Sequence, residues 1–198
     1  SEDTQAWARM QAAHAQAVLS RVQGRDELRQ RIAALADAGG DEVRDILCPD
    51  KINTDQWLQV MRTAHGLGIK STATIMFGHV DGYRHWARHI LRVRDLQRET
   101  GGFTEFVPLA FVHMEAPIYV KGQARKGPTF RESVLMHAVA RLALDPFITN
   151  IQASWVKLGP DGVKACLDAG VNDLGGTLMN ESISRAAGAS HGQELPPA

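Results

Sequence analysis

The sequence predicts an α/β fold in which parallel strands alternate with helices, and three observations lead to this prediction. Four β-prone apolar segments follow residue 70, at 71–77, 103–111, 148–154 and 171–177. Segments with the periodicity of a helix separate each of them from the next. The chain has 198 residues, of which 44% are hydrophobic and 22% charged, which suits one domain with its own core.

The segment 1–38 is predicted as two helices that precede this alternating pattern. The first helix ends at Gly24 and the second begins near Asp26. A pair of glycines then interrupts the helical pattern, and the character of the sequence changes. We therefore expect a helical segment over 1–40 and the main domain over 41–198.

Helices of the main domain are predicted from apolar stripes and from their start and stop residues. Asn53 followed by Gln56 has the form of a helix start. The helix at 82–100 is expected to face inward through four side chains: Tyr83, Trp86, Ile90 and Val93. Three more helices are predicted at 130–144, at 160–169 with Pro160 at its start, and at 181–187.

Strands that alternate with helices predict parallel βαβ units with right-handed crossovers. The strands do not alternate cleanly between apolar and polar residues, as is typical when helices cover both faces of a sheet. A doubly wound sheet and part of a β/α barrel both satisfy this pattern. No glycine-rich phosphate-binding loop follows the first strand, which disfavours a nucleotide-binding doubly wound fold.

Charge and composition argue against several classes of partner. Twenty-two basic residues balance twenty-two acidic ones, so we expect no nucleic acid and no anionic membrane as a partner. The sequence has no long apolar run and no signal-peptide pattern, and the expected compartment is the cytoplasm. Cys48 and Cys166 are expected to be reduced, mostly buried thiols. Two cysteines are too few to hold an iron–sulfur cluster.

Polar residues within or just after the predicted strands are the candidate site. In a β/α barrel, catalytic groups lie past the carboxyl ends of the strands. We expect the candidates to meet in one cavity there, and the alternative is that they face helices or solvent. Catalytic roles are predicted for three residues, His79, His113 and Glu181. Substrate binding is predicted for four: Glu105, Gln152, Asn172 and Thr177.

These residue types suit proton transfer and the binding of a polar substrate. A histidine exchanges protons near neutral pH, which fits His79 and His113. Glu105 or Gln152 could orient an ammonium group or an amide edge of a substrate. His85 and His89 have the spacing of a zinc pair, but Arg88 lies between them and would repel a cation. We interpret this pair as part of a surface helix and predict no metal site.

The residues after position 40 resemble a known family. The motifs GHVD, GGFTEFVPL, SWVKLG and NDLGGTL, over about residues 41–192, are similar to the FO synthase family. The similar part is the C-terminal half of its tyrosine-using radical S-adenosylmethionine (SAM) module, the 5-amino-6-(D-ribitylamino)uracil–L-tyrosine 4-hydroxyphenyl transferase. Radical SAM enzymes of the futalosine route to menaquinone share parts of the pattern and are the second family considered.

The resemblance implies a fold, a reaction and two cofactors. The fold is a partial (half) TIM-type β/α barrel with about four parallel strands, preceded by two helices. The full-length module binds a 4Fe–4S cluster through a CxxxCxxC motif and cleaves SAM. It joins the 4-hydroxybenzyl group of tyrosine to 5-amino-6-(D-ribitylamino)uracil in deazaflavin coenzyme biosynthesis. The implied partners are these two substrates and the ring-closing radical SAM module.

This sequence departs from the family pattern in ways that bear on activity. It has no CxxxCxxC motif, and Asn180 stands where the family has the first of two acids. We therefore expect the isolated chain to bind no cluster stoichiometrically, to leave SAM intact and to be inactive. The alternative is a non-enzymatic remnant or binding module. An open half-barrel would also expose apolar surface, so we expect residues 3–36 to cover it or the chain to self-associate.

Overall fold

A computed structural model describes residues 42–176 and 182–191, together with isolated positions between residues 6 and 30. The helices predicted over 1–38, and the covering role predicted for residues 3–36, lie outside this described part apart from those positions. Within it, no helix is both long enough and apolar enough to cross a bilayer.

Within residues 42–176 and 182–191 the structure has seven helices and four strands, and at least one helix separates each strand from the next, as the sequence predicts. The helices are α1 (Glu42–Leu47), α2 (Thr54–Gly66), α3 (Tyr83–Thr100), α4 (Pro117–Val120), α5 (Phe130–Leu144), α6 (Trp155–Asp168) and α7 (Ile183–Ala186). The strands are β1 (Ser71–Phe77), β2 (Phe103–Ala110), β3 (Gln152–Ala153) and β4 (Asp173–Leu174).

The strands are parallel and lie in the order of the sequence. β1 pairs with β2, so that Thr72 lies beside Glu105 and Phe77 beside Ala110. β3 pairs with β4. A parallel bridge between Phe106 and Ile151 joins the two pairs. The fold class is therefore α/β with parallel strands, as predicted.

Local sequence signals set several of the boundaries. Asn53 and Gln56 form a reciprocal capping box at the start of α2, as predicted. Thr129 and Glu132 form another at the start of α5. Gly101 ends α3 in the left-handed conformation, with φ of 62°. These contacts satisfy backbone groups that a helix end would otherwise leave unpaired.

Four predicted details are corrected by the structure. β3 and β4 are much shorter than the segments 148–154 and 171–177. α6 begins at Trp155 and runs through a kink at Gly159, whose φ of 67° is not helical, instead of beginning at Pro160. Tyr83 is 59% exposed, although Trp86 in the same turn of α3 is buried in the core. The fourth correction concerns the two faces of β1.

β1 alternates between buried and exposed side chains along its whole length. Ala73, Ile75 and Phe77 are buried in the main core, whereas Thr72 and Thr74 are exposed. A strand that is covered on both faces would not alternate in this way. In the described residues the helices cover one face of β1 and leave the other open, and we call this the open face of the strands. It continues at Glu105 of β2, which is partly exposed, whereas the middle of β2 is buried on both faces, with Phe106 and Val107 both buried.

His65 connects four elements at the amino-terminal end of the strands. One ring nitrogen lies 2.7 Å from the Thr100 hydroxyl and the other 2.8 Å from the Ser71 hydroxyl. The ring also packs edge-on against Phe103 at 4.7 Å. A Cβ at Gly102 would lie 2.0 Å from the His65 ring, so only glycine permits this approach.

Candidate functional site

A cluster of polar side chains lies on the open face of the strands, near their amino-terminal ends. The Thr72 hydroxyl donates to one Glu105 oxygen at 3.0 Å. The Gln152 amide donates to the other Glu105 oxygen at 3.0 Å and to the Asp173 carboxylate at 3.1 Å. Neighbouring residues in a parallel ladder point to the same face, and this places the four side chains together.

The electrostatics of this open-face cluster are set by its two acids. Burial raises the pKa of Glu105, and the neighbouring Asp173 carboxylate raises it further. A carboxyl group with a raised pKa can hold a proton more readily than an ordinary glutamic acid. Glu105, Gln152 and Asp173 therefore offer acceptors and a donor to a polar group that approaches the open face.

Asn172 points to the opposite face from this cluster. Its Oδ1 accepts a hydrogen bond from Arg141 at 2.7 Å and another from the Ile151 amide at 2.9 Å. Arg141 also donates to the carbonyls of Thr149 and Gly170, both at 2.7 Å. Asn172 is 1% exposed. It thus joins the strands to α5 on the helix-covered face and does not meet Glu105.

His79 follows β1 and is held by the backbone around it. Its Nε2 donates to the Met76 carbonyl at 3.0 Å, and its Nδ1 accepts from the Val80 amide at 2.7 Å. Burial lowers the pKa of His79. Asp81 accepts from the His79 amide and from the Trp86 indole, and so fixes this turn. Because both ring nitrogens are engaged, His79 is better suited to holding the turn than to moving a proton.

His113 lies three residues beyond the end of β2 and lines a cavity of about 350 Å³. Its ring packs edge-on against Tyr119 at 4.7 Å. Lys126, Lys157 and His191 line the same cavity, which we call the basic cavity. Thr177 and Glu181 lie outside the described residues, and their roles stay predictions.

The predicted site residues thus form separate groups. Glu105 and Gln152 are brought together, but His79 and His113 lie at the other end of the strands. Glu105 stands five residues before the end of β2, a distance of about 17 Å along a strand. The expectation that all candidates share one cavity does not describe this arrangement.

Comparisons with known proteins identify what the chain resembles. Residues 100–195 match a family model described as the CofH/MqnC C-terminal region. The chain is 56% identical, over 82% of its length, to the 5-amino-6-(D-ribitylamino)uracil–L-tyrosine 4-hydroxyphenyl transferase of Methanopyrus kandleri. It is 53% identical, over 77% of its length, to the FO synthase of Mycobacterium leprae. The resemblance to the FO synthase family is confirmed.

The chain corresponds to only a part of these relatives. It covers 44% of the Methanopyrus transferase and 18% of the Mycobacterium FO synthase. The match to the CofH/MqnC C-terminal model includes β2, β3 and β4. It therefore contains the open-face acids, Glu105 and Asp173, and two histidines of the basic cavity, His113 and His191.

The 4Fe–4S cluster that the FO synthase resemblance implies does not fit the residues of this chain. A cluster that leaves one iron open needs three thiolates, and the sequence has two cysteines. Cys166 is fully buried, and burial raises the pKa of its thiol to about 11. Among the described residues, no three side chains of His, Cys, Asp or Glu are placed to hold a metal ion. The cluster would have to be held by residues outside this sequence.

A second cavity, of about 370 Å³, was not anticipated from the sequence. It lies between β1 and the helices α1, α2 and α3, and three arginines line it: Arg44, Arg88 and Arg92. In the sequence, the spacing of Arg88 and Arg92, one turn apart on α3, could have indicated this cavity. His89 also lines this cavity, and its Nε2 is buried. His89 is half-buried, which corrects the surface position expected for it, and burial lowers its pKa to about 4.

Proposed function

We propose that the chain is the C-terminal part of a radical SAM transferase of deazaflavin coenzyme biosynthesis. The reaction would join the 4-hydroxybenzyl group of tyrosine to 5-amino-6-(D-ribitylamino)uracil. The observation that carries the proposal is the sequence identity to relatives named 5-amino-6-(D-ribitylamino)uracil–L-tyrosine 4-hydroxyphenyl transferase. This identity is 52–56% over about 80% of the chain. The finer architecture we propose is half of a TIM-type barrel, whose interior would be the open face of the strands.

The open face supports this proposal chemically. A barrel interior that only formed a core would not need Glu105, Gln152 and Asp173 in contact with one another. These side chains suit the amine and amide edges of an aminouracil, because they combine hydrogen-bond acceptors with an amide donor. We propose substrate binding for Glu105 and Gln152, and proton transfer for His113, which lies at the carboxyl ends of the strands.

Two further roles follow from position. His79 would act as a positioning residue, since both of its ring nitrogens bond to backbone groups. Asn172 would support β3 from the helix-covered face and would not contact substrate. SAM and the cluster would supply the radical in the full-length enzyme. The thiols of this chain cannot hold that cluster, so we propose that the isolated chain is inactive.

One experiment distinguishes this proposal from its two alternatives, a non-enzymatic remnant and an enzyme of the menaquinone route. In the Methanopyrus kandleri relative, the matching region is replaced by residues 41–192 of this chain, and product is measured anaerobically with tyrosine and 5-amino-6-(D-ribitylamino)uracil. The proposal predicts activity within about tenfold of the parent. A folded hybrid with an intact cluster spectrum and no product would favour a non-enzymatic remnant. Turnover only with substrates of the menaquinone route would favour the second family.

A matched pair of variants tests the open face in the same hybrid. Glu105→Gln removes the acid that contacts Thr72 and Gln152, and we expect a loss of kcat/KM of about a hundredfold. Asp168→Asn is the control, because its carboxylate pairs with Lys164 on the exposed side of α6. Equal activity of the two variants would show that Glu105 has no part in the reaction.

A further inference from the structure

The amide group of Gln152 lies at the centre of the open-face cluster. Its Nε2 donates to a Glu105 oxygen at 3.0 Å and to an Asp173 oxygen at 3.1 Å. A primary amide nitrogen carries two hydrogens, so these two bonds use both of them. Glu105 belongs to β2 and Asp173 to β4, and the amide on β3 is therefore held from the strands on both sides.

The two carboxylates determine which end of this amide faces them. In the reverse orientation Oε1 would lie against both Glu105 and Asp173, where the negative charges would repel it. In the observed orientation each carboxylate accepts a charge-assisted hydrogen bond, which is stronger than a bond between neutral groups. If Asp173 were absent, one amide hydrogen would lose its acceptor, and the amide could turn more easily about its last side-chain bond. The orientation of Gln152 thus depends on both acids.

This orientation leaves Oε1 of Gln152 on the side of Gly175. A Cβ at position 175 would lie 3.0 Å from this oxygen, so glycine leaves room beside it. The Gly175 amide donates to the Ala153 carbonyl at 2.9 Å, which holds this residue next to β3. Gln152 and Gly175 are both partly exposed. A ligand on the open face can therefore reach Oε1 and donate a hydrogen bond to it.

This part of the open face offers a ligand mainly hydrogen-bond acceptors. Oε1 of Gln152 and the oxygens of ionised Glu105 and Asp173 accept hydrogen bonds and donate none. A ligand that fits them presents several N–H groups close together. The aminouracil of the proposed reaction has amino groups on two adjacent ring carbons, as the positions 5 and 6 in its name state. A site of this kind rejects an analogue without those N–H groups, because its acceptors would lose water without gaining partners.

We propose that Asp173 is a positioning residue for the aminouracil substrate and acts by fixing the Gln152 amide with Oε1 towards the N–H groups of that substrate. This inference rests on the proposed function, which makes an aminouracil the substrate and Gln152 one of its binding residues. Glu105 supplies the second contact that holds the amide, and Gly175 leaves Oε1 accessible. Because the amide oxygen accepts the same hydrogen bond before and during the reaction, its loss should raise KM and leave kcat nearly unchanged.

The test uses the intact chain, with its side-chain amides isotope-labelled for NMR. The Gln152 amide signals are assigned with Gln152→Met and followed, without oxygen, during titration with 5,6-diaminouracil and with 5,6-dimethyluracil. The dimethyl compound keeps the ring and its size but carries methyl groups in place of both amino groups. We expect diaminouracil to shift the Gln152 signals with a Kd of up to about 1 mM, and dimethyluracil to leave them in place.

Two variants at position 173 separate the hydrogen bond from the charge. Asp173→Ala removes the acceptor and should weaken diaminouracil binding by about tenfold or more. Asp173→Asn removes the charge but keeps an oxygen that accepts from Gln152, so its affinity should stay within about threefold of the unaltered chain. Asp168→Ala is the control, because its carboxylate is 73% exposed and pairs with Lys164; it should bind as the unaltered chain does.

Gly175→Ala tests the same amide oxygen without changing either acid. The added methyl group would crowd Oε1 of Gln152 at 3.0 Å, and we expect binding to be weaker by about tenfold. The backbone of Gly175 does not need a positive φ, so alanine is compatible with the fold there. If Asp173→Ala fails to fold, weak binding by Gly175→Ala together with retained binding by Asp173→Asn supports the proposal.

Kinetics of the hybrid enzyme separate positioning from a merely structural role. Asp173→Ala in the hybrid should raise the KM for 5-amino-6-(D-ribitylamino)uracil by about tenfold and change kcat by less than about threefold. Asp173→Asn should restore KM to within about threefold of the parent hybrid. A variant that only unfolds part of the enzyme population would lower kcat and leave KM unchanged.

The outcomes also separate this inference from the proposed function. Equal shifts with the two uracils, equal weakening in Asp173→Ala and Asp173→Asn, or no shift in a saturated solution of diaminouracil would overturn the role of Asp173. An unchanged KM in an active Asp173→Ala hybrid would overturn it as well. Binding that depends on Asp173, combined with an inactive parent hybrid, would keep this role and remove the proposed function. The same binding with an active hybrid and a raised KM would support both.

Discussion

The two faces of the same strands differ in burial, in polarity and in the contacts that their side chains make. On the helix-covered face Ala73 and Phe77 are fully buried, and Phe106 is buried beside them. On the open face, Thr72 and Glu105 lie next to each other and bond through their side chains. Side chains alternate along a strand, so neighbouring residues belong to different environments. The covered face forms the core and stabilises the fold, whereas the open face carries polar groups that are not part of the core.

The largest difference between the faces is expected for truncation of a core ring. Phe106→Ala should lower the free energy of unfolding by about 3–5 kcal/mol, because it leaves a cavity in the core. Thr74→Ala, on the open face of the neighbouring strand, should change it by less than about 0.5 kcal/mol. Urea-induced unfolding measures both. Similar losses would show that the open face also supports the fold.

Arg141 tests whether a polar group can stabilise the covered face. Arg141→Met removes hydrogen bonds to Thr149, Gly170 and Asn172, and should cost about 2–4 kcal/mol. Arg131→Met, on an exposed position of the same helix, is the control and should be nearly neutral. Thermal and urea unfolding compare the two. A loss confined to Arg131→Met would contradict the role that we give to this network.

The free energy of unfolding is expected to depend on pH through His89. Burial lowers the pKa of His89 to about 4 from an ordinary 6.5, so the folded state favours the neutral ring. Above pH 6.5 both states are neutral, and stability should fall as the pH drops towards 4. The expected loss is on the order of 2 kcal/mol. His89→Gln should flatten this part of the unfolding profile, and an unchanged slope would show that His89 does not cause it.

The smallest effect is expected on the open face, at Glu105. The pKa of Glu105 is raised by burial and by Asp173, so its contribution to stability is present below its ordinary pKa of 4.5 and is lost as the pH rises through the folded value. Glu105→Gln should thus be slightly more stable than the unaltered chain at pH 7, by less than about 1 kcal/mol because solvent screens the pair. The difference should vanish at pH 4. Greater stability of the unaltered chain at pH 7 would contradict this.

Local signals predicted much of the fold, and they failed where long-range contacts decide. The capping residues Asn53 and Gln56 and the strand 71–77 could be read from the sequence because each depends on nearby residues. The polar alternation of Thr72 and Thr74 could also have predicted the open face. The lengths of β3 and β4 could not, because pairing between distant segments sets them.

The candidate site was only partly predictable for a similar reason. Asn172 and Asp173 are neighbours, and a shift of one residue exchanges their faces. No local pattern distinguishes which of the two contacts Gln152, and the structure assigns that contact to Asp173. Lys126 and Lys157 were also missed, because they meet His113 only when the loop before α5 and the start of α6 approach each other.

The position of His65 affects the order in which parts of the molecule unfold locally. Its ring forms hydrogen bonds with Ser71 and Thr100 and occupies the space above Gly102. The end of α2, the start of β1 and the connection from α3 to β2 are therefore all in contact through this one imidazole ring. None of these elements can separate without breaking the contacts of the others. The segment from Thr54 to Ala110 should therefore open as one cooperative unit, with its amide hydrogens exchanging together, while β3 and β4, held by short ladders, open earlier.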